Sequence, residues 1–563
     1  MSIPMINRLG DWNPQLLREL KGRLKFRNMA LAASLSLLGQ LLLVISFVRK
    51  LPVAPPMGEY IYPTYSPYCT GTRPKDYYSD NYPCLQDAFG NFAINWPHWW
   101  LDVFVWLSII GMFALLVAGT YMLIGDQDTE ERRGTLNFIR LSPRSAATIL
   151  LGKLLGVPVL LYLAGMLAIP LHWGAGIAAQ IPPILIVSYY GVLLASCLCF
   201  YSAALLFGTV SSWLGGFQPW LGSGTLLFFL WIETLKPGDE TSSDLLNLLS
   251  PSATLSFVHY SMPAAKKSFR SFNLYYLDRL RWFDLPVGLS VAGTVALSLL
   301  IYGFLTYWIW QALLRRFPNQ GATLLSKRQS YLLVAGSEIL LLGFELQESG
   351  NTDSGFVRLS LLNLLLFLGI IAALTPNRQA LHDWARYRHA NLPARKGFWQ
   401  NSLVRDLVWG EKSPALVAVA INLASATVVL VPWALGWEYA FPSLILAMNL
   451  TLIYAALAQL MLFVKTQKPA VWAVVSVGAA ALLPPIILVL LSATPEKQPA
   501  VWLFSAFPAF WSWEALREVP AATVFAVFVA QWLVLLVLSV QLTRKLRKAG
   551  ESASKALLAG ARQ

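Results

Sequence analysis

Long apolar runs separated by polar segments recur along all 563 residues of this chain. A helix needs about twenty predominantly apolar residues to cross the hydrocarbon core of a bilayer, and we identify about twelve such runs. They lie near residues 28–48, 99–124, 146–171, 183–210, 220–235, 284–314, 331–346, 356–374, 414–435, 440–464, 469–491 and 520–542, of which the fifth and seventh are short. The runs are continuous rather than alternating, and unpaired backbone amides are unfavourable in lipid. We therefore predict an all-α polytopic membrane protein with about twelve transmembrane helices.

The composition agrees with this class and sets an orientation. Hydrophobic residues make up 56% of the chain and charged residues 13%, which excludes an ordinary soluble domain. A cytosolic N-terminus places about 30 of the 43 Lys and Arg residues on the cytosolic side, as the positive-inside rule requires. Both termini are then cytosolic. The net charge of +14 needs no nucleic acid, because anionic lipid headgroups bind basic surfaces.

One basic segment disagrees with this orientation, because the predicted topology places it outside. It carries Lys266, Lys267, Arg270, Arg279 and Arg281 within a long loop. Charge counts weigh less in long loops. Its Phe, Tyr and Leu content predicts a helix lying on the membrane surface.

A second amphipathic helix is predicted before the first span, over Asn13–Arg27. Asn13 is a suitable cap, and Pro14 falls in the first turn. Leucines 16, 17, 20 and 24 share one face, which indicates a helix lying flat at the cytosolic interface. The alternative is a positive flank that only orients the first span.

The polar segment between the second and third spans, residues 125–153, is the most informative part of the chain. Asp128 or Thr129 can cap a short helix. Glu130 and Glu131 would then lie in its first turn, where the helix dipole favours acidic groups.

This predicted helix should be brief. Pro143 forces the preceding residue out of helical geometry, and Ser145 can cap the helix that enters the third span. Gly134 permits the close approach of another backbone. A solvated loop with mixed charges is the alternative interpretation.

Three short motifs in this segment resemble those of ABC-2 type transporter permeases. They are Glu130-x-x-x-Gly134-Thr135-Leu136, Leu141-Ser142-Pro143-x-Ser145 and Leu150-Leu151-Gly152-Lys153. The helix at Asn13–Arg27 resembles the connector helix of that family, with Asn13, Pro14, Arg18 and Glu19 as its marker residues. The resemblance covers roughly the first 330 residues. It implies that the loop is a coupling helix, with Glu130, Glu131, Gly134, Thr135, Leu136 and Pro143 contacting an ATP-hydrolysing subunit.

The resemblance also implies ATP-driven movement of a substrate, usually outward, and placement in a bacterial cytoplasmic membrane. A P-loop requires G-x-x-x-x-G-K-[ST]. Gly152-Lys153 has neither the upstream glycine nor a following Ser or Thr. We therefore expect no enzyme activity and no cofactor on this chain. ATP and Mg²⁺ would be bound by a separate, soluble partner.

Residues 331–563 form a second predicted six-span unit, after a first unit at residues 1–330. Its spans and loops follow the plan of the first unit, which makes a degenerate repeat a hypothesis. The segment from Asn401 to Leu407, however, echoes the connector helix rather than the coupling helix. Either one chain supplies both permease halves, or the complex contains a second copy or a different permease.

Two further features carry chemistry. Cys69 and Cys84 share a loop predicted to lie outside, where a disulfide is favourable. Glu338 lies midway along the seventh span, and an intramembrane carboxyl group marks either a polar point on a transport path or a buried contact between helices. No Cys and His spacing suggests a zinc site.

Two other function classes stay open. A secondary transporter would use intramembrane ionisable groups such as Glu338. A membrane-embedded enzyme would need clustered acids or a nucleophile with its base, and we find no such cluster in the sequence. The substrate is open in every case.

Overall fold

The structure is a computed structural model. It describes residues 9–53, 64–71, 82–87, 90–235, 244–261, 280–345, 352–390, 402–436, 439–511, 516 and 519–551. The described residues are mainly helical, with one two-stranded antiparallel ribbon of β1 (Tyr65–Ser66) and β2 (Tyr82–Pro83). Contacts divide the chain into two compact units. Unit 1 comprises Met1–Leu280 and Pro286–Pro318, and unit 2 comprises Arg281–Leu285 and Asn319–Gln563.

Unit 1 contains twelve of the helices described here, together with short 3-10 and π segments. In chain order these are α1 (Pro14–Arg23), α2 (Phe26–Val48), α3 (Trp96–Phe113), a π segment (Ala114–Ala118), α4 (Gly119–Arg132), α5 (Thr135–Arg140), α6 (Ala146–Gly156), α7 (Val159–Ala178), α8 (Pro183–Val210), a 3-10 turn (Ser212–Phe217), α9 (Gln218–Leu235), α10 (Asp244–Leu248), a 3-10 turn (Pro251–Thr254), α11 (Leu255–Ser261), a 3-10 turn (Val287–Leu289) and α12 (Val291–Arg316).

Unit 2 contains the remaining described helices. They are α13 (Lys327–Glu345), α14 (Thr352–Leu374), α15 (Arg378–Ala390), α16 (Ser402–Trp409), α17 (Leu416–Ala434), α18 (Ala440–Met461), α19 (Pro469–Leu490), α20 (Pro499–Ser505), a 3-10 turn (Pro508–Phe510) and α21 (Ala521–Gly550).

Ten helices in the described part of the chain are long and apolar enough to cross a membrane. The prediction of an all-α polytopic membrane protein is therefore confirmed. The predicted fifth and seventh spans form helices, α9 and α13, but neither belongs to the ten. Both are diluted by polar residues, such as Glu233 in α9 and the Lys327-Arg328-Gln329-Ser330 start of α13.

The predicted third span differs from the observed helices. We expected one helix over residues 146–171, whereas the chain forms α6 and then α7, which ends at Ala178. The break falls at Pro158, which has no backbone N–H and leaves the helical conformation with φ −85° and ψ 17°. Only α7 is long enough to span a membrane, and α6 is a shorter apolar helix.

The second predicted span is longer than expected. It runs as one 37-residue helix from Trp96 to Arg132, through α3, the π segment and α4. The π segment disturbs the regular backbone hydrogen bonding, and the Tyr201 hydroxyl on α8 donates to the Leu115 carbonyl there at 2.6 Å. Such segments recur at functional positions in helices.

Each unit, taken by itself, shows the same dominant helix pairs. In unit 1 the first predicted span packs on the third (α2 on α7), and the fourth on the sixth (α8 on α12). In unit 2 the same pairs are α13 with α17 and α18 with α21.

A second internal feature also recurs. A short helix followed by a proline-led 3-10 turn lies between the fifth and sixth spans of each unit, at Pro251–Thr254 and Pro508–Phe510. Each turn contacts the second and fourth spans of its own unit, α3 and α8 in unit 1, and α14 and α18 in unit 2.

The short helix α16 is held against the bundle of unit 2 by a buried lysine. Lys327 on α13 donates from Nζ to the Leu407 carbonyl at 2.6 Å and to the Ser413 hydroxyl at 2.7 Å. Asn401, where the predicted echo of the connector helix begins, lies outside the described residues, as does residue range 262–279 of the predicted surface helix.

The loop between α2 and α3 is joined to the bundle of unit 1 at several points. Cys69 and Cys84 form a disulfide, with Cα atoms 4.9 Å apart. The Tyr68 hydroxyl donates to Asp102 on α3 at 2.7 Å, and burial together with this carboxylate raises the pKa of Tyr68. Trp99 donates to the Phe47 carbonyl at 3.0 Å, which ties the end of α2 to the start of α3.

Candidate functional site

The N-terminal amphipathic helix is present, and its start is as predicted. The Asn13 side chain accepts from the Leu16 amide at 2.9 Å, and Pro14 occupies the first turn of α1. The helix ends at Arg23 rather than Arg27, because Leu24 and Lys25 leave the helical conformation before α2 begins at Phe26.

The predicted start of the helix in the 125–153 loop is wrong. Asp128 to Glu131 do not begin a helix but lie in the last turns of α4, which continues unbroken to Arg132. The chain turns at Gly134, whose φ of +71° is left-handed, and α5 follows as a separate short helix. Nothing lies within 4 Å of the position that a Cβ of Gly134 would take. The glycine therefore serves this turn rather than a close contact within the chain.

The end of the 125–153 segment has the conformation that the sequence predicted. The backbone leaves α5 after Arg140 and passes through Ser142 and Pro143. Ser145 then caps α6, with its hydroxyl accepting from the Thr148 amide at 3.2 Å.

Helix α1 lies directly on α6, at a seat made by two glycines. A Cβ on Gly152 would lie 2.7 Å from the Asn13 side-chain oxygen, and a Cβ on Gly156 would lie 2.5 Å from Cβ of Glu19. The Asn13 amide nitrogen also donates to the Thr148 carbonyl on α6 at 2.8 Å. Asn13 therefore caps its own helix and attaches that helix to α6.

Six charged side chains from α1, α4 and α6 meet beside this seat, and we call them the charged cluster. They are Arg18, Glu19, Arg23, Asp126, Glu130 and Lys153. Lys153 is fully buried, and its Nζ lies 2.6 Å from Asp126 and 2.5 Å from Glu130. Each of these carboxylates also binds one arginine of α1.

The arginine contacts connect the connector-like helix to the loop. Arg18 binds Glu130 at 2.5 Å, and Arg23 binds Asp126 at 2.6 Å and Glu19 at 3.1 Å. Buried charges require such pairing, because an unpaired charge in the protein interior is strongly destabilising.

The charged cluster is balanced, with three acids and three bases. Carboxylate oxygens of Glu19, Asp126 and Glu130 lie within 4.8 Å of one another, a spacing that suits a metal ion. Three cationic groups already bind these oxygens, so the arrangement is an ion-pair network that fastens α1 to α4 and α6.

The short helix α5 has one buried face and one exposed face. Leu136 and Ile139 are buried in the core of unit 1. Phe138 and Leu141 are 84% and 85% exposed, respectively. Two large apolar side chains exposed together on a charged loop are unusual for a surface that meets only water.

A groove of about 600 Å³ separates α5 from α1. Its apolar lining includes Phe138, Leu141 and Pro143, and its basic lining includes Arg18 and Arg144. The lining of the groove therefore combines apolar surface with positive charge.

The remaining predicted coupling residues differ in burial, and some are buried while others are exposed. Glu130 is buried in the charged cluster rather than exposed, and Leu136 anchors α5. Thr135 is exposed and donates to the Glu130 carbonyl at 3.2 Å, while Glu131 is half-buried.

Sequence reasoning missed Asp126, Lys153 and Arg23 as members of the cluster. Two signals were available. A lone lysine within the apolar run from Ile149 to Leu155 requires a counter-charge. Asp126 and Glu130 are four residues apart, so they share one face of a helix.

Glu338 lies on α13 of unit 2. Its side chain is fully buried. The side chain of Asn363 on α14 interacts with it.

Comparison of the chain with known proteins found no match. No model of a protein family matches the chain, and neither a curated protein nor a solved structure matches it.

Proposed function

We propose that this chain is the membrane-spanning permease subunit of an ABC-2 type ATP-driven transporter, acting as an exporter. A separate ATP-binding subunit would dock on α5 and the adjoining groove at the cytosolic face. This chain would bind no ATP and catalyse no reaction.

The observation that carries the proposal is the exposed apolar surface of Phe138 and Leu141 on a firmly anchored helix. An apolar pair exposed at 84% and 85% favours a protein partner. The basic side chain of Arg144 at the groove favours an acidic side chain of the partner beside the apolar contact.

The anchoring of α5 supports a mechanical role. Leu136 fixes α5 to the core, and Gly134 joins it directly to the 37-residue helix that begins at Trp96. At about 1.5 Å per residue, this helix extends about 55 Å, enough to cross a bilayer. A displacement of α5 would therefore move a single continuous helix, with the π segment as its one irregular point along that length.

The charged cluster would carry the same displacement to the start of the first span. Lys153 binds both acids of α4, and Arg18 and Arg23 bind those acids from α1, which immediately precedes α2. Helices α1, α4 and α6 would then move as one body.

The recurring helix pairs support twelve spans arranged as two related six-span units. Under this proposal α9 and α13 are the fifth and seventh spans. One chain would then supply both permease halves, and the complex would contain one copy of it.

The test is copurification of the tagged full chain from its native membranes, followed by assay of ATP hydrolysis. We expect an ATP-binding subunit to copurify with the wild-type chain and the Phe138→Leu variant, which keeps an apolar side chain. Phe138→Asp should release that subunit without changing the amount of chain in the membrane. Equal retention of the partner by Phe138→Asp, or ATP-independent transport by the chain alone, would refute the proposal.

A secondary transporter is the second candidate, and Glu338 is the observation that favours it. A fully buried carboxyl group within a membrane bundle suits a site that takes up and releases an ion. Transport that depends on a proton or sodium gradient, is lost in Glu338→Gln and continues without any ATP-binding subunit would select this function.

A further inference from the structure

Basic side chains gather at one end of unit 2, on and around the short helix α15. Helix α15 carries three arginines and a single acid, Asp383. The turn between α18 and α19 carries two lysines and no acid, and the last seven residues of α21 carry four bases and no acid. We call the bases of residues 378–390, 465–468 and 544–550 the basic patch.

The packing of α15 brings two of these segments together. Leu381 on α15 forms a buried apolar cluster with Leu462, at the end of α18, and Ala473, near the start of α19. The His382 ring lies edge-on to Phe463, with centroids 5.6 Å apart. Helix α15 therefore lies beside the turn at residues 465–468.

The basic end of α21 lies at the same end of the unit. Gln531, in the first half of α21, donates to the Leu503 carbonyl of α20 at 3.1 Å. Trp502 of α20 in turn donates to the Ala493 carbonyl, just after α19 ends, at 2.7 Å. Helix α21 thus begins where α19 ends, and it finishes where α19 begins. Helix α15 also packs against α21.

Most of the basic patch is exposed. Arg386, both lysines of the turn and all four bases of α21 are exposed, while Arg388 pairs with Asp406 on α16 at 3.6 Å. Burial, together with the neighbouring Arg378 and Arg386, lowers the pKa of His382. The basic patch therefore presents a positive surface.

The bases continue directly from the exposed apolar surface of the long helices. On α21, which is long and apolar enough to cross a membrane, Leu533, Val537 and Val540 are exposed, and Arg544 follows Val540 by four residues on the same face. On α19, Lys468 precedes the exposed Trp472 by four residues. Exposed apolar surface on a spanning helix contacts acyl chains, so bases at its end lie at the depth of the headgroups.

We propose that the basic patch binds the anionic headgroups of membrane phospholipids. A lipid joins a charged group to apolar chains in the order in which α21 and α19 present bases and apolar side chains. An acidic protein would match the charges alone. In the orientation predicted from the sequence this end of unit 2 is cytosolic, and the inference is independent of any ATP-binding partner.

The test uses the full chain in phosphatidylcholine nanodiscs that contain a minor amount of phosphatidylglycerol with a photoreactive diazirine near its headgroup. Mass spectrometry should find more label at residues 540–548 and 465–475 than with the same diazirine on phosphatidylcholine. Each Lys or Arg near an anionic membrane surface strengthens association by about fivefold. The double variant Arg544→Gln, Lys548→Gln should therefore lower labelling by phosphatidylglycerol about tenfold or more, and leave labelling by phosphatidylcholine unchanged.

Two matched variants serve as controls. Arg544→Lys, Lys548→Arg keeps both charges and should keep the wild-type labelling. Lys497→Gln removes an exposed base beyond the opposite end of α19 and should also leave labelling of the basic patch unchanged. A loss of labelling in either control as large as that in the double glutamine variant would overturn the proposal.

The wild-type protein supplies a test that does not depend on the folding of any variant. Raising the salt concentration from 0.1 M to 1 M shortens the Debye length from about 10 Å to about 3 Å. Labelling by phosphatidylglycerol should then fall, and labelling by phosphatidylcholine should not. Equal labelling by the two lipids at low salt would contradict the proposal, as would an acidic protein that copurifies with the chain and blocks labelling by phosphatidylglycerol.

Discussion

Replacing Lys153 with methionine tests whether the charged cluster fastens α1 to the rest of unit 1. Methionine keeps most of the apolar stem of lysine but removes the ammonium group that binds Asp126 at 2.6 Å and Glu130 at 2.5 Å. The carboxylates of Asp126 and Glu130, whose side chains are 14% and 8% exposed, would then face each other without an ammonium group between them.

The size of the destabilisation in Lys153→Met depends on the contacts that Asp126 and Glu130 keep. Removing one partner of a buried ion pair typically destabilises a protein by about 3–5 kcal/mol. Asp126 and Glu130 each keep an arginine, but Arg18 is half exposed and Arg23 is 27% exposed, so solvent weakens those contacts. We therefore expect a loss near the lower end of that range, about 3 kcal/mol.

Hydrogen exchange of the α1 backbone is a suitable assay, because it reports local opening as well as global unfolding. A loss of about 3 kcal/mol corresponds to exchange more than about a hundredfold faster at residues 14–23. The Lys153→Met, Glu130→Gln double variant removes one stranded charge and should recover part of that protection.

The exposed pair of Arg132 and Asp128 provides the control. The Arg132 side chain is 56% exposed, and its loss in Arg132→Met should cost less than about 1 kcal/mol. If Lys153→Met accelerates exchange in α1 no more than Arg132→Met does, the cluster does not hold α1 in place.

Three further predictions concern the seat of α1, the turn before α5 and the disulfide loop. Gly152→Leu should displace α1, because even a Cβ at this position would lie 2.7 Å from the Asn13 side-chain oxygen. Gly174→Leu should leave α1 in place, because Gly174 has open space around it. Faster protease cleavage within residues 14–23 in the Gly152 variant than in the Gly174 variant would show the displacement. Gly134→Ala should destabilise the turn by about 1–2 kcal/mol, because the φ of Gly134 is +71°. Gly125→Ala, within α4, should not destabilise the protein, and thermal unfolding compares the two variants. Equal effects would contradict the role of Gly134 in the turn. Cys69→Ser should remove a bridge that closes a 15-residue loop, with a stability loss of about 3 kcal/mol, measured by thermal unfolding against the oxidised wild-type protein. A wild-type chain in which Cys69 and Cys84 react with an alkylating reagent before reduction would contradict the bridge.

Most of the membrane helices and several of their boundaries followed from the sequence, because the signals that define them are local. An apolar run long enough to cross a bilayer contains that information within itself. The caps at Asn13 and Ser145 also depend on residues only three positions apart. The broken third span shows the limit of such reasoning, since the apolar pattern continues across Pro158 while the backbone does not.

The sequence by itself determined the class of the protein and the presence of an amphipathic helix before its first span. It also singled out the segment between the second and third spans. Only the tertiary structure decided that Glu130 points into a charged cluster and that Phe138 and Leu141 form the exposed surface. The physical reason is distance along the chain. The contact of Arg18 with Glu130 joins residues 112 positions apart, and that of Asn13 with Thr148 joins residues 135 apart, so neither depends on any local pattern.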